Sequence, residues 1–203
     1  GQLHGFNCNL KDALEHFQCV TNIIKKSNSK WGMAINKINQ SFFVNFFEGR
    51  IDLEFQNSKE GLDLAEQSGD ILSKAVGLTC HGVSCYNKRF LADSEKYFLE
   101  GIYLGEQINL IASNSIARSF LGEIYYELAD YKKSKNYFMN AVSDLKKHRL
   151  LHSWMYLNET AIVRSMVMNK EKNMNLEPLY IYISENKIKI YEGWIRRLLG
   201  EIL

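Results

Sequence analysis

Proline is scarce in this chain: its 203 residues contain only Pro178, where average composition would give about ten. Since proline interrupts helices, this scarcity favours helix and argues against an all-β protein with proline-rich turns. No Cys-x-x-Cys pair occurs, and the cysteines lie within helical patterns, where we expect buried, reduced thiols: Cys8, Cys19, Cys80 and Cys85. No apolar run approaches the length of a membrane-spanning helix, about eighteen residues. With 46% apolar and 24% charged residues, the chain should fold as a globular protein.

Motifs that carry catalytic or cofactor chemistry are also missing. The chain has no glycine-rich phosphate loop, no H-E-x-x-H, no G-x-S-x-G and no dinucleotide fingerprint. His148 and His152 stand four apart but lack an evident third metal ligand. Cys80, His81 and Cys85 fit a buried core better than a thiolate-imidazole pair, because neighbouring side chains on a helix diverge. We therefore expect no enzyme activity, no cofactor and no metal site.

Charge is nearly balanced, at 25 basic against 23 acidic residues, but it is unevenly distributed. Residues 1–130 carry 12 basic and 16 acidic side chains, whereas residues 131–203 carry 13 and 7. The excess of basic over acidic residues in 131–203 is spread too widely to form the dense basic stripe of an RNA-binding protein. The N-terminus has no signal-peptide pattern. We expect a cytoplasmic protein with no nucleic-acid or membrane partner.

Internal repetition is the strongest positive signal. The segment Phe120-Leu121-Gly122-Glu123-Ile124 returns seventy-eight residues later as Leu198-Leu199-Gly200-Glu201-Ile202. Steps of about forty residues connect a row of mostly small side chains, as close approach of helices requires. The members of this row are Gly1, Phe42, Gly82, Gly122, Ala161 and Gly200.

A second series lies half a repeat later and places a small residue, an aromatic residue and another small residue on one helical face. Its members are Ala13, Phe17, Val20; Glu54, Ser58, Gly61 as a weaker copy; Ser94, Phe98, Gly101; and Ser134, Phe138, Ala141. Each repeat is therefore predicted to be a helical hairpin. Polar and glycine-containing turns separate the helices at 7–9, 27–29, 48–50, 68–70, 87–89, 107–109, 128–130, 147–149 and 169–173.

The predicted structure is almost entirely helical. The helices are expected at 9–26, 30–47, 51–67, 71–87, 90–107, 110–128, 131–147, 150–168, about 175–186 and 188–203. For the second helix, 30–47, two registers that differ by one residue fit the pattern. Pro178 fits only the first turn of the ninth helix, with Asn175 as its cap, and the alternation over 180–183 also admits a strand.

Leu121-Gly122-x-x-Tyr125, followed by Asp130-Tyr131 and Ser134-x-x-x-Phe138-x-x-Ala141, resembles the tetratricopeptide repeat. The spacing near forty is similar to the long-repeat variety of MalT-like bacterial regulators, signalling ATPases and nucleotide cyclases. The resemblance implies an all-α, right-handed superhelical solenoid of about five antiparallel hairpins in a single domain, 1–203. Its repeats would be 1–29, 30–69, 70–109, 110–149, 150–187 and a partial 188–203. Because Gly1 falls on the small-residue row, we expect a fragment of a longer chain.

In such a solenoid, the first helix of each hairpin would line a concave face. The row three residues before the small one is entirely hydrogen-bonding: Asn39, Thr79, Ser119, Asn158 and Arg197. The polar row would form hydrogen bonds with the backbone of an extended peptide, and the flanking aromatic residues would anchor the peptide's side chains. These aromatic residues are Tyr86, Tyr126 and Trp194. The alternatives are a solvated wall, and a groove that holds another part of the parent chain. The cluster Phe42, Phe43, Phe46 and Phe47 favours core packing over an exposed patch.

The expected function is thus non-catalytic binding of a protein or peptide ligand. The alternative is a regulatory or sensor arm of a larger signalling ATPase, nucleotide cyclase or transcriptional regulator, in which the partner is another domain of the parent chain. Self-association through the aromatic groove is a third possibility.

Overall fold

A computed structural model describes residues 2–171, 176–185 and 191–203 of the chain. Across these residues all regular structure is helical and no strand occurs, which confirms the all-α prediction. The strand alternative at 180–183 is wrong, because a helix spans Glu177–Glu185. Gly1, the proposed cap Asn175 and the predicted helix start at 188–190 lie outside the described residues. None of the described helices is sufficiently long and apolar to cross a bilayer.

The helices follow one another along two compact units, Gly1–Ser113 and Asn114–Leu203. Those before the division are α1 (Gln2–Phe6), α2 (Leu10–Ser27), α3 (Lys30–Gln40) with a π-helical turn (Ser41–Asn45), α4 (Ile51–Ser68), α5 (Ile71–Asn87) and α6 (Leu91–Gln107). The division falls within α7 (Ile111–Glu127). The second unit continues with α8 (Tyr131–His148), α9 (His152–Met168), α10 (Glu177–Glu185) and α11 (Glu192–Ile202). Sequence neighbours pack against each other from α1 to α6 in the first unit and from α8 to α10 in the second.

Left-handed backbone marks the turns at regular intervals. Within the predicted hairpins the residues with positive φ are Cys8, Gly49, Arg89, Ala129 and Lys170. Between hairpins they are Asn28, Gly69, Asn109, Arg149 and Leu151. Both series step by about forty residues, and all of these residues except Leu151 fall in a predicted turn. Leu151 was expected inside the helix at 150–168, but its backbone is left-handed and the helix begins after it, at His152. Left-handed residues commonly end helices because they redirect the chain and satisfy its last carbonyls.

The same packing contact joins the two helices of successive hairpins. Ser94 Oγ donates to the carbonyl oxygen of Gly82 at 2.8 Å, and Ser134 Oγ donates to that of Gly122, also at 2.8 Å. A Cβ atom added at Gly82 would lie 2.7 Å from the Phe98 ring. The small-residue row therefore exists, at these positions, because an aromatic ring rests on the opposite backbone.

The row is not uniform, however. Phe42 occupies it with a large buried ring, and no described atom lies within 4 Å of a Cβ added at Gly200. The π-helical turn Ser41–Asn45 inserts an extra residue at this point, which accounts for the open register of the second helix. Phe42 contacts Phe43, Phe46 and Phe47 edge-on or stacked, with ring centroids 5.3 to 6.2 Å apart, as core packing predicts.

A buried polar cluster lies between α4 and α5. Ser58 Oγ is 2.9 Å from His81 Nδ1 and 2.7 Å from Ser84 Oγ. Nearby, Asn87 Nδ2 donates to Glu54 Oε2 at 2.8 Å. Burial lowers the pKa of His81 to about 4 and raises the pKa of Glu54 to about 7. Burial thus favours the neutral form of both side chains.

The cysteines divide into two pairs by exposure. Cys80 and Cys85 are buried, and burial raises the pKa of each thiol to about 12, so the buried-core interpretation is confirmed for them. Cys8 and Cys19 are exposed, and the prediction that they are buried is wrong. Cys8 lies in the first turn between helices, and Cys19 lies on the outer face of α2, away from Ala13 and Phe17.

Candidate functional site

Charged, polar and aromatic side chains of the second unit come together from three helices, α7, α9 and α11. Trp154 of α9 donates from Nε1 to Ser119 Oγ of α7 at 2.9 Å. On its other side α9 packs against α11, where Trp154 and Trp194 meet at right angles with ring centroids 5.8 Å apart. Helix α9 therefore contacts both α7 and α11 within this unit. We call the surface and interior formed by these helices the α7–α9–α11 site.

Arg164 is the centre of an ion network in this site. Its guanidinium donates from Nη2 to Glu123 Oε2 at 2.7 Å and from Nη1 to Glu201 Oε2 at 3.2 Å. It also lies 3.7 Å above the centre of the Tyr126 ring, which adds a cation–π contact. Arg164 and Glu123 are buried, whereas Glu201 is partly exposed. One arginine of α9 thus pairs with a carboxylate of α7 and with a carboxylate of α11.

The charge of Arg164 is retained despite its burial. Desolvation acts to lower the pKa of the guanidinium, but Glu123 and Glu201 raise it further, so that the pKa lies above its ordinary value. A buried ion pair of this kind adds little net stability over an apolar substitute, yet breaking it leaves an uncompensated buried charge. Breaking the pair is therefore expected to cost more than the intact pair contributes to stability.

A small cavity lies beside the network. Its polar lining comes from Ser119, Glu123, Asn158 and Trp194. The volume, about 10 Å³, is near the lower limit for one water molecule. Asn158 Nδ2 donates to the carbonyl oxygen of Trp154 at 2.6 Å, while its Oδ1 has no hydrogen-bond partner among the described residues. Most of the cavity wall is apolar, from side chains such as Phe120, Phe138 and Leu157, and the cavity is too small for a ligand.

Three of the five predicted polar-row residues are buried. Thr79 donates to the carbonyl oxygen of Ala75 at 3.2 Å and accepts from Ser113 at 3.0 Å. Ser119 accepts from Trp154, and Asn158 is 1% exposed. Helices adjacent within a unit cover these positions, so their hydrogen bonds are made inside the protein. Thr79, Ser119 and Asn158 therefore do not form a polar stripe on the surface.

The other two members of the row are accessible. Asn39 is half-buried and accepts a hydrogen bond from Gln2 Nε2 at 3.0 Å. Arg197 has a side chain 62% exposed, 3.6 Å from Glu201. Since Glu201 also bonds Arg164, Arg197 lies on the same face of α11 as the ion network.

The aromatic residues predicted as anchors are all half-buried. Tyr126 lies beneath Arg164 and meets Tyr131 at 5.4 Å between ring centroids. Trp194 packs against Trp154, and Tyr86 is placed near the end of α5 in the first unit. Tyr126, Trp194 and Arg197 therefore belong to the α7–α9–α11 site.

The ion network was missed by the prediction from sequence, although a signal for it was present. Glu123 and Glu201 are the fourth residues of the two repeated pentapeptides, and Arg164 stands about midway between them. A carboxylate repeated at matching positions, with an arginine one repeat from each, is the pattern that an inter-helix ion network would leave. Among the described residues no group of three or more His, Cys, Asp or Glu side chains is placed to hold a metal ion.

Comparison with known proteins returns no relative: neither a protein-family model nor a curated protein sequence matches this chain.

Proposed function

We propose that the chain is a tetratricopeptide-like, right-handed solenoid that binds proteins or peptides and has no catalytic activity of its own. The observation that carries the repeat assignment is the recurrence of one local geometry. Left-handed turn residues step by about forty along the chain, and equivalent serines bond the carbonyl oxygens of Gly82 and Gly122 at the same distance. Hairpins built alike and packed in sequence order are the construction of helical repeat proteins.

The proposed binding surface is the accessible face of the α7–α9–α11 site. Arg197 and Glu201 reach solvent there, with Tyr126 and Trp194 half-buried beside them. Arginine and aromatic residues are the types that most often dominate binding energy. The ion network around Arg164 holds these side chains on rigid helices, so a ligand would not have to order them when it binds.

Peptide selection followed by paired substitutions tests this proposal. A displayed library of random twelve-residue peptides is panned on the protein, and the affinity of the selected peptides is measured by calorimetry. Arg197→Ala should weaken binding by about tenfold or more, as loss of an interface arginine commonly does.

Arg196→Ala is the matched control. Arg196 is as exposed as Arg197, at 59%, but pairs with Glu192 on another side of α11. Selection of no peptide above background, or equal losses for the two arginine variants, would contradict binding at this face. Retained thermal stability in both variants shows that a loss of binding is not a loss of folding.

A further inference from the structure

Helices α6 and α8 bury and expose equivalent positions. The buried residues of α6 are Ser94, Phe98, Gly101 and Gly105, and those of α8 are Ser134, Phe138, Ala141 and Leu145. Each member of the second set lies forty residues after its counterpart. The exposed positions correspond in the same way, because eight positions that are exposed in α6 are also exposed in α8 at this interval. The two helices therefore present faces with the same arrangement of side-chain positions.

These two faces carry opposite charge. The α6 face consists of Ala92, Asp93, Lys96, Leu99, Glu100, Tyr103, Glu106 and Gln107. The α8 face consists of Lys132, Lys133, Asn136, Met139, Asn140, Ser143, Lys146 and Lys147. Three acidic side chains and one basic side chain give the α6 face a net charge of −2, whereas four basic side chains and no acidic one give the α8 face +4. Surfaces of opposite charge attract each other, so each face is complementary to the other.

Apolar side chains lie near the middle of both faces. On α6, Leu99 is 47% exposed and Tyr103 is 66% exposed; on α8, Met139, the counterpart of Leu99, is 50% exposed. Contact between the two faces would remove these side chains from water. The flexible thioether of methionine also packs favourably against an aromatic ring such as that of Tyr103. An apolar centre with a polar rim is the usual composition of a protein–protein interface.

The charged residues stand on both sides of each apolar centre. On α6, Asp93 lies near the start of the helix and Glu106 near its end, and on α8 the lysines form one pair near each end. Parallel and antiparallel contacts would thus both bring carboxylates next to lysines. Contact between two α6 faces or two α8 faces would instead place like charges together, which weakens binding. Unlike faces are therefore the ones expected to meet.

A second copy of the chain supplies the matching face. We propose that the chain self-associates, with the α6 face of one copy docked on the α8 face of another. Since the two surfaces in contact are different, the interface is heterologous, and each copy has both surfaces. The inference concerns exposed faces that are not part of the α7–α9–α11 site, and it does not depend on the binding proposed there.

The size of the two faces predicts a weak association. A helix of 17 residues such as α6 is about 25 Å long and about 10 Å wide, so two helix faces would bury about 500 Å² together. This area is well below the roughly 1,200 Å² at which stable interfaces begin. We therefore expect a dissociation constant of about 0.1–1 mM. It should rise with salt concentration, because salt screens exposed charges.

Sedimentation velocity of the intact protein over about 0.02–1 mM measures this association. At about 50 mM salt, the weight-average sedimentation coefficient of the parent should increase with protein concentration. At about 0.5 M salt it should stay near the value of the monomer.

Charge reversal identifies the two faces. In one variant, Glu100→Lys with Glu106→Lys makes the α6 face basic. In the other, Lys132→Glu, Lys146→Glu and Lys147→Glu make the α8 face acidic. Either variant alone would bring like charges together, so its association should be weaker by about tenfold or more. An equimolar mixture of the two variants should associate again, because each offers the other oppositely charged faces.

Three exposed lysines of α2 provide the matched control. Lys11→Glu, Lys25→Glu and Lys26→Glu change the net charge as much as the α8 variant does, but they leave both faces intact. This control should associate as the parent does. Circular dichroism and thermal melting of every variant show that a loss of association is not a loss of folding.

The inference is overturned if the parent remains monomeric at every concentration, or if salt does not weaken its association. It is also overturned if the α2 control loses association as the α8 variant does, since net charge and not a particular face would then be responsible. A mixture of the two folded variants that associates no better than either one alone would likewise contradict a contact between α6 and α8.

Discussion

Glu54 should make the first unit less stable as the pH rises toward neutrality. Its carboxyl group is 1% exposed and accepts one hydrogen bond, from Asn87. Burial raises its pKa from 4.5 to about 7. Between these two values the unfolded chain releases a proton that the folded protein keeps, so rising pH favours unfolding. The stabilising contribution is complete below pH 4.5 and is lost above pH 7.

The size of this effect follows from the difference between the two pKa values. At 1.36 kcal/mol per unit, ionisation of Glu54 costs about 3 kcal/mol of unfolding free energy by pH 8. Glu54→Gln keeps an acceptor for Asn87 and has no charge to bury. The variant should therefore be about 3 kcal/mol more stable than the parent at pH 8 and about equal to it at pH 4.5.

His81 acts in the opposite direction and must be separated from Glu54. Since burial lowers its pKa from 6.5 to about 4, stability that depends on neutral His81 is present above pH 6.5 and is lost as the pH falls toward 4. The two effects partly cancel in the parent protein. Subtracting parent from Glu54→Gln at each pH removes the common contribution of His81.

Urea unfolding of both proteins at intervals from pH 4.5 to 8, followed by circular dichroism, measures this difference. Glu15→Gln, a change at an exposed carboxylate of the same unit, is the control and should show no such trend. If the stability of Glu54→Gln runs parallel to that of the parent across the whole range, Glu54 does not titrate as its burial requires, and the reasoning fails.

Three further substitutions test the second unit. Gly122→Ala should cost about 1–3 kcal/mol in urea unfolding, because the added Cβ would lie 2.7 Å from the Phe138 ring; Phe138→Leu in the same chain should recover part of that loss, and no recovery would refute the clash. Arg164→Met should cost about 3–5 kcal/mol by leaving Glu123 buried without its partner. A loss of less than about 1 kcal/mol would show that Glu123 is not left as an uncompensated buried charge, and would refute this reasoning. Asn158→Ala should lower the melting temperature, because it removes a buried hydrogen bond and enlarges a cavity, with a loss of about 1–3 kcal/mol in unfolding free energy. An unchanged melting temperature would contradict this and would support the surface role that the sequence predicted for Asn158.

Local features of the chain were predictable because they depend on residues close together in sequence. The turns at Gly49, Asn28 and Gly69 were placed correctly, since left-handed backbone favours glycine and asparagine. The helices between them followed from apolar spacing and from the lack of proline. Gly82 and Phe98 were each assigned to a repeated series, but the contact of the Phe98 ring with Gly82 was not predicted.

The accessibility of the proposed binding row was not predictable in the same way. Thr79 and Asn158 have the sequence pattern of exposed polar residues, yet helices from neighbouring hairpins cover them. Whether a polar side chain in a first helix faces solvent depends on the crossing of helices about forty residues apart. Periodicity within a single helix contains no information on that crossing.

The amino-acid sequence by itself determined the helical class, the repeat interval and the positions of the turns, because each depends on backbone preferences and apolar spacing over a few residues. Only the tertiary structure decided that Arg164 joins Glu123 to Glu201 and that neighbouring helices cover Thr79 and Asn158. Those arrangements depend on distances between residues far apart in the chain, which are established when the helices pack.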